Sequence, residues 1–198
     1  MMEKIGTPMR EKILRASARL FSEKGYKEIT TRDIASAVGV KSASIYYHFP
    51  SKNEITLALY KYYADQRIMA SPDLGELLKL AETAPPNEVL MKTEPCYDQE
   101  TREFLDQILV AAVRSVGVDP EAERFIKQNI FDATAAVLKP LCERMVALGK
   151  IKPIDIDSFV CVLIRYRFGD AFLRNSSLES PEYQNKIGLP YIFSILRY

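Results

Sequence analysis

An all-α fold is the expectation for this 198-residue chain, and three observations carry it. Apolar residues recur at helical spacing in one segment after another. Helix-opening signatures, Thr30 with Asp33 and Ser51 with Glu54, stand where such segments begin. No run alternates apolar and polar residues as a half-buried strand does, and no internal repeat or low-complexity segment stands out. The expected organisation is an N-terminal three-helix helix-turn-helix module over residues 1–50, followed by a larger C-terminal helical domain over residues 51–198.

The segment from Pro8 to Lys24 sets Ile13, Ser17, Leu20 and Phe21 at helical spacing, with Pro8 suited to the opening turn and Gly25 to the stop. Thr30 then stands three residues before Asp33, a capping-box arrangement that opens a short helix with Ile34, Ala35 and Val38 on its apolar face. Gly39 gives the backbone a tight turn and Val40 plugs the core. From Ser42 to Phe49 a helix resumes, with Ile45 and Phe49 pointing the same way. Pro50 closes it, and the Ser51–Glu54 box opens a fourth helix through Leu57, Leu59, Tyr60 and Tyr63 toward Ala70.

Pro72 starts another helical stretch, and the region of Pro85, Pro86 and Pro95 reads as a broken connection with one helical turn from Val89 to Met91. Gln99 to Val116 carries a wide apolar stripe of Phe104, Leu105, Ile108, Leu109 and Ala112. Asp119 to Leu148 continues the pattern, with a kink or break expected at Pro140, which lacks a donor and crowds the preceding turn. Asp155 to Asn175 and Pro181 to Arg197 complete the chain. In the former, Phe159, Val162, Leu163 and Tyr166 share one face while Val160, Ile164, Phe168, Ala171 and Phe172 occupy another. A helix apolar on two faces is buried twice. One face fills its own core; the other is expected to meet the same helix of a second copy, joined by Tyr191, Ile192, Ile195 and Leu196, as a homodimer. A single larger monomer core is the alternative.

The composition is that of a soluble globular protein, without a run long enough to span a bilayer or a cleavable signal at Met1, so a cytoplasmic protein with no membrane partner is expected. Cys96, Cys142 and Cys161 are widely spaced and without neighbouring ligands, which argues against disulfides and structural zinc. No metal and no cofactor is expected. Residues 1–67 hold 12 Lys and Arg against 7 Asp and Glu, so this basic front end is offset by an acidic remainder in a chain of net charge +1. That asymmetry suits a DNA-facing module attached to an acidic partner domain. An enzyme is not expected: there is one His, no Gly-rich phosphate loop and no acid pair on a shared face, so no catalytic residue can be nominated.

A helix-turn-helix needs one helix braced on the phosphate backbone and a second presenting side chains to base edges in the major groove. Arg32 stands at the start of the bracing helix and Lys41 at the start of the reading helix. Thr31, Ser42, Ser44, Tyr46, Tyr47 and His48 add hydroxyls, rings and an imidazole, and no Asp or Glu occurs between Ser42 and Lys52. Double-stranded operator DNA is therefore the expected partner.

The run Asp33-Ile34-Ala35, Val38-Gly39-Val40, Ile45-Tyr46-Tyr47-His48-Phe49 and Ser51-Lys52 resembles the DNA-binding domain of the TetR family of transcriptional regulators. The resemblance covers roughly a quarter of the chain and rests on a hydrophobic-Tyr-x-His-Phe tail followed by Lys. It implies phosphate contacts by Tyr47, His48 and Lys52 and base contacts from Lys41, Ser42, Ala43, Ser44 and Tyr46. Lys41 stands where many members carry a small capping Ser, and Val38 where Ala is usual; Ser42 is the alternative cap, one residue later. The resemblance also implies a four-helix dimer interface and a small-molecule effector pocket whose occupancy shifts the fourth helix, hence a repressor released by its ligand. Tyr62, Phe104, Ile108, Phe131 and Tyr166 are candidates to line that pocket, with Arg165 for an anionic group. An architectural DNA-binding protein of the same fold, without effector, is the alternative.

Overall fold

The computed structural model describes residues 7–174, with side chains through residue 169, and every regular element in that span is helical. Helix α1 (Pro8–Lys24) is opened by Thr7, whose hydroxyl accepts from the Arg10 N–H, and closed by Gly25 at φ 90°. Helix α2 (Thr31–Val38) carries the complete capping box of Thr30 and Asp33, and Gly39 ends it in the left-handed region at φ 78°, ψ 34°. Helix α3 (Ser42–His48) follows. Ile13, Leu14, Phe21, Ile34, Ile45 and Phe49 are all sealed from solvent. At about 1.5–3 kcal/mol for each large apolar side chain buried, this shared core rather than helix propensity holds such short helices together.

Helix α4 (Lys52–Ala70) begins where the Ser51 hydroxyl accepts from the Glu54 N–H at 3.2 Å. Then come α5 (Leu74–Thr83), α6 (Pro86–Lys92), α7 (Gln99–Ser115) and α8 (Pro120–Ile126). A π-helical segment, Lys127–Asp132, leads into α9 (Ala133–Ala147), and α10 (Ile156–Arg174) closes the described span. The irregularity expected at Pro140 is thus displaced: α9 runs through Pro140, and the break in α-geometry lies at Lys127–Asp132. Beside Pro140, Leu138, Leu141 and Cys142 are fully buried, and that burial offsets the roughly 3 kcal/mol that an interior proline costs a helix.

The chain forms two compact units, Met1–Ile68 with Asp98–Lys127, and Met69–Tyr97 with Gln128–Tyr198. In the first unit α1 packs along α7, so the N-terminal helices share a core with a helix from the middle of the chain. Arg15 bridges to Glu100 at 3.1 Å and lies 4.8 Å over the Phe104 ring, and Arg114 donates to the Glu23 carbonyl at 3.1 Å. Exposed ion pairs of this kind contribute about 0–1 kcal/mol. Burial of Phe104, Leu105 and Ile108 on α7 stabilises the pairing more. In the second unit, α9 packs against α5 and α10, and α5 against α6.

Candidate nucleic-acid interface

The turn between α2 and α3 is set locally. The Val40 N–H donates to the Ala35 carbonyl at 2.9 Å and the Gly39 N–H to the Ser36 carbonyl at 3.2 Å, so α2 ends within one turn and α3 departs in a new direction. Ile45 and Phe49 lock one face of α3 inward. The opposite face is thereby fixed outward: Tyr46 is 52% exposed and Tyr47 87%, and Lys41 and Ala43 are exposed beside half-buried Ser42, Ser44 and His48. Both rings therefore stand outside the core that Ile45 and Phe49 join. Arg32 on α2 is exposed as well.

Three interactions place these groups. The Thr31 and Tyr46 hydroxyls lie 3.0 Å apart, linking α2 to α3. The Tyr47 and His48 rings meet edge to face at 5.1 Å. The single acid of residues 31–49, Asp33, accepts from the Thr30 hydroxyl at 2.6 Å and the Thr30 N–H at 2.7 Å, and these bonds hold its carboxyl below the ordinary value of 3.8. Its charge is thus committed to the cap.

Lys41 is the N-cap residue of α3 and makes no side-chain cap bond, and Ser42 is already the first helical residue. The alternative of Ser42 as cap is therefore corrected: the cap hydroxyl is missing altogether and the helix starts no later. Lys52 is held by contacts within the chain. Its Nζ donates to the carbonyls of Tyr26 and Ile29, each at 2.8 Å, and lies 3.9 Å over the Tyr26 ring; burial pulls its pKa down. The ammonium implied for a DNA phosphate faces the protein's own loop. Arg10, which nothing in the sequence flags, does the matching work at the far end of α3: Nη1 donates to the His48 carbonyl at 2.9 Å and the guanidinium lies 4.0 Å over the Phe49 ring. A partner 38 residues away leaves no local signal.

Of the residues suggested for an effector, Tyr62, Phe104 and Ile108 belong to the first unit, where the Tyr62 and Phe104 rings meet at 5.2 Å. Phe104 and Ile108 are buried there as core. Phe131, Arg165 and Tyr166 belong to the second unit, where Phe131 meets the Phe168 ring at 6.4 Å and Arg165 is exposed. On α10 the assignment of faces is corrected. Val160 and Ile164, expected to face a second copy, are buried in their own chain together with Leu163, while Val162 is 53% exposed. The packing of α10 on α9 decides this, because it takes in the 160–163–164 edge. Phe168 is half-buried; the side chains of Ala171 and Phe172, and Tyr191, Ile192, Ile195 and Leu196, lie outside the described residues. Among the described residues no group of three His, Cys, Asp or Glu could hold a metal ion, and no helix is long and apolar enough to cross a membrane.

Known proteins resemble this chain in sequence and in fold. The profile of "Bacterial regulatory proteins, tetR family" matches residues 13–59, which is α1 through the first half of α4. The HTH-type transcriptional regulator YerO of Bacillus subtilis is 30% identical over 125 residues, covering 63% of this chain and 41% of that protein. The biofilm operon icaADBC negative transcriptional regulator IcaR of Staphylococcus aureus is 53% identical over 47 residues, 24% of this chain and 25% of that one. The chain thus spans less than half the length of these curated relatives. Among solved structures, the TetR family regulator PfmR from Thermus thermophilus superposes with a TM-score of 0.68 at 24% identity, covering 96% of this chain and 97% of that one. The ketosteroid regulator KstR2 of Mycobacterium tuberculosis does so at 0.68 and 20%, covering 98% and 96%. At these identities the structures show a shared fold. Residues 13–59 thus match the sequence model of the tetR family of bacterial regulatory proteins, within a fold shared with regulators of that family.

Proposed function

We propose that this chain is a DNA-binding transcriptional regulator that reads double-stranded operator DNA with α3, acts as a cytoplasmic homodimer, and is released from DNA by a small-molecule effector. The observation that carries the reading is the pair Tyr46 and Tyr47, standing out from a helix whose other face is sealed, with Arg32 and Lys41 exposed nearby. Cations hold phosphates and fix register, while hydroxyls and rings meet base edges. Repression is the favoured sense because IcaR, a negative regulator, is 53% identical over 47 residues. A dimer would set two reading helices in successive major grooves about 34–36 Å apart. The exposed Val162, with Phe159 and Tyr166 at helical spacing, is the face of α10 proposed to meet the second copy. An effector works only by binding the DNA-free conformation better, with couplings of about 1–3 kcal/mol. Phe131, Tyr166 and the exposed Arg165 of the second unit are the side chains proposed to touch it.

The test is selection of bound sequences from a random duplex pool. A recovered palindrome establishes target and dimer together; a pool that never enriches sinks the regulator reading. The second reading, an effector-independent architectural protein, is favoured by the closed packing of Phe104 and Ile108. It predicts binding without a consensus, which the same selection would reveal.

A further inference from the structure

We infer that Lys52 is a positioning residue: its ammonium clamps the start of α4 to the loop between α1 and α2, and so sets the pose of the reading helix without neutralising a phosphate. This rests on the DNA-binding reading above.

An ammonium has three N–H donors and no acceptor. Two of the three go to the Tyr26 and Ile29 carbonyls, and the face of the Tyr26 ring covers the nitrogen at 3.9 Å. Both carbonyls belong to the non-helical link between α1 and α2, where no helical N–H is available to them. For the ammonium to turn wholly to a phosphate it would have to leave both carbonyls, and each oxygen would then lack this donor. The clamp also reaches α3. Lys52 follows buried Phe49 by only three residues, through Pro50 and Ser51, so fixing Lys52 fixes the exit of the reading helix. Arg10 holds that exit from the other side, through the His48 carbonyl and the Phe49 ring. Any displacement of α4 must therefore carry the α1–α2 loop with it.

The experiment uses the full chain and its selected duplex, titrated at several salt concentrations. Lys52→Gln is expected to weaken binding about tenfold at every salt, with the slope of log K against log salt unchanged. Arg32→Gln, which removes an exposed cation, should flatten that slope by about 0.9 for each phosphate the guanidinium neutralised. Lys52→Arg, which keeps a donor and a charge, should recover part of the affinity. Tyr26→Leu combined with Lys52→Gln should weaken binding by less than the product of the single effects, because both break one interaction. A Lys52→Gln slope that falls by about 0.9, or single effects that simply multiply, would overturn the proposal. Thermal unfolding of the same proteins gives a second cycle without DNA. Coupling there upholds the clamp even with no duplex bound, a result that would sink the DNA-binding reading alone; independent melting shifts overturn the clamp.

Discussion

The hydroxyl oxygens of Thr31 and Tyr46 lie 3.0 Å apart, so the first turn of α2 orients the exposed phenol of α3. Thr31→Val keeps the shape and removes the bond. A neutral hydrogen bond contributes about 0.5–1.5 kcal/mol, so operator affinity should fall by about two- to tenfold. The loss should concentrate on the base pairs beneath Tyr46, and Thr31→Ser should restore it. An equal loss on every sequence would show instead that Thr31 touches phosphate.

Tyr47 is the more exposed of the two tyrosines of α3, at 87%. Tyr47→Ala should leave the thermal stability within about 0.5 kcal/mol of the parent, and should abolish retention of the selected duplex. Unaltered retention in a gel-shift titration would remove Tyr47 from the interface.

The capping box ties stability to pH. Thr30→Ala removes the hydroxyl that caps α2 and should cost about 1 kcal/mol in chemical denaturation. The bonds from Thr30 depress the Asp33 pKa in the folded state. The charged cap is therefore fully present above the ordinary value of 3.8 and is lost as pH falls through the lower folded value. Asp33→Asn should flatten the acid limb of the stability profile between the ordinary value of 3.8 and the lower folded value; an acid limb identical to the parent's would exclude Asp33 as a contributor.

Cys96 and Cys142 should separate by reactivity. Cys96 is exposed, whereas Cys142 is fully buried and burial pushes its thiol up to about 12. The thiolate is the reactive form. Alkylation of the native protein at mildly alkaline pH should therefore label Cys96 and leave Cys142 unmodified until denaturant is added, as read by mass spectrometry. Early labelling of Cys142 would mean that α9 opens readily.

Much of the fold was legible because its signals are short-ranged. Pro8 and Gly25 bound α1, Thr30 with Asp33 opens α2, Gly39 turns the chain, and Ile45 with Phe49 turns Tyr46 and Tyr47 outward; each of these effects acts within about one helical turn. The sequence by itself therefore determined that there is a helix-turn-helix, where it lies, and which face it shows. What tertiary structure decided involves partners far apart in the chain. It drew α7 against α1, turned Val160 and Ile164 inward and Val162 outward, and let α9 continue through Pro140. It also sent the Lys52 ammonium to two carbonyls 26 and 23 residues upstream. A long flexible cation takes whichever acceptors packing brings within reach, and only the assembled core selects them.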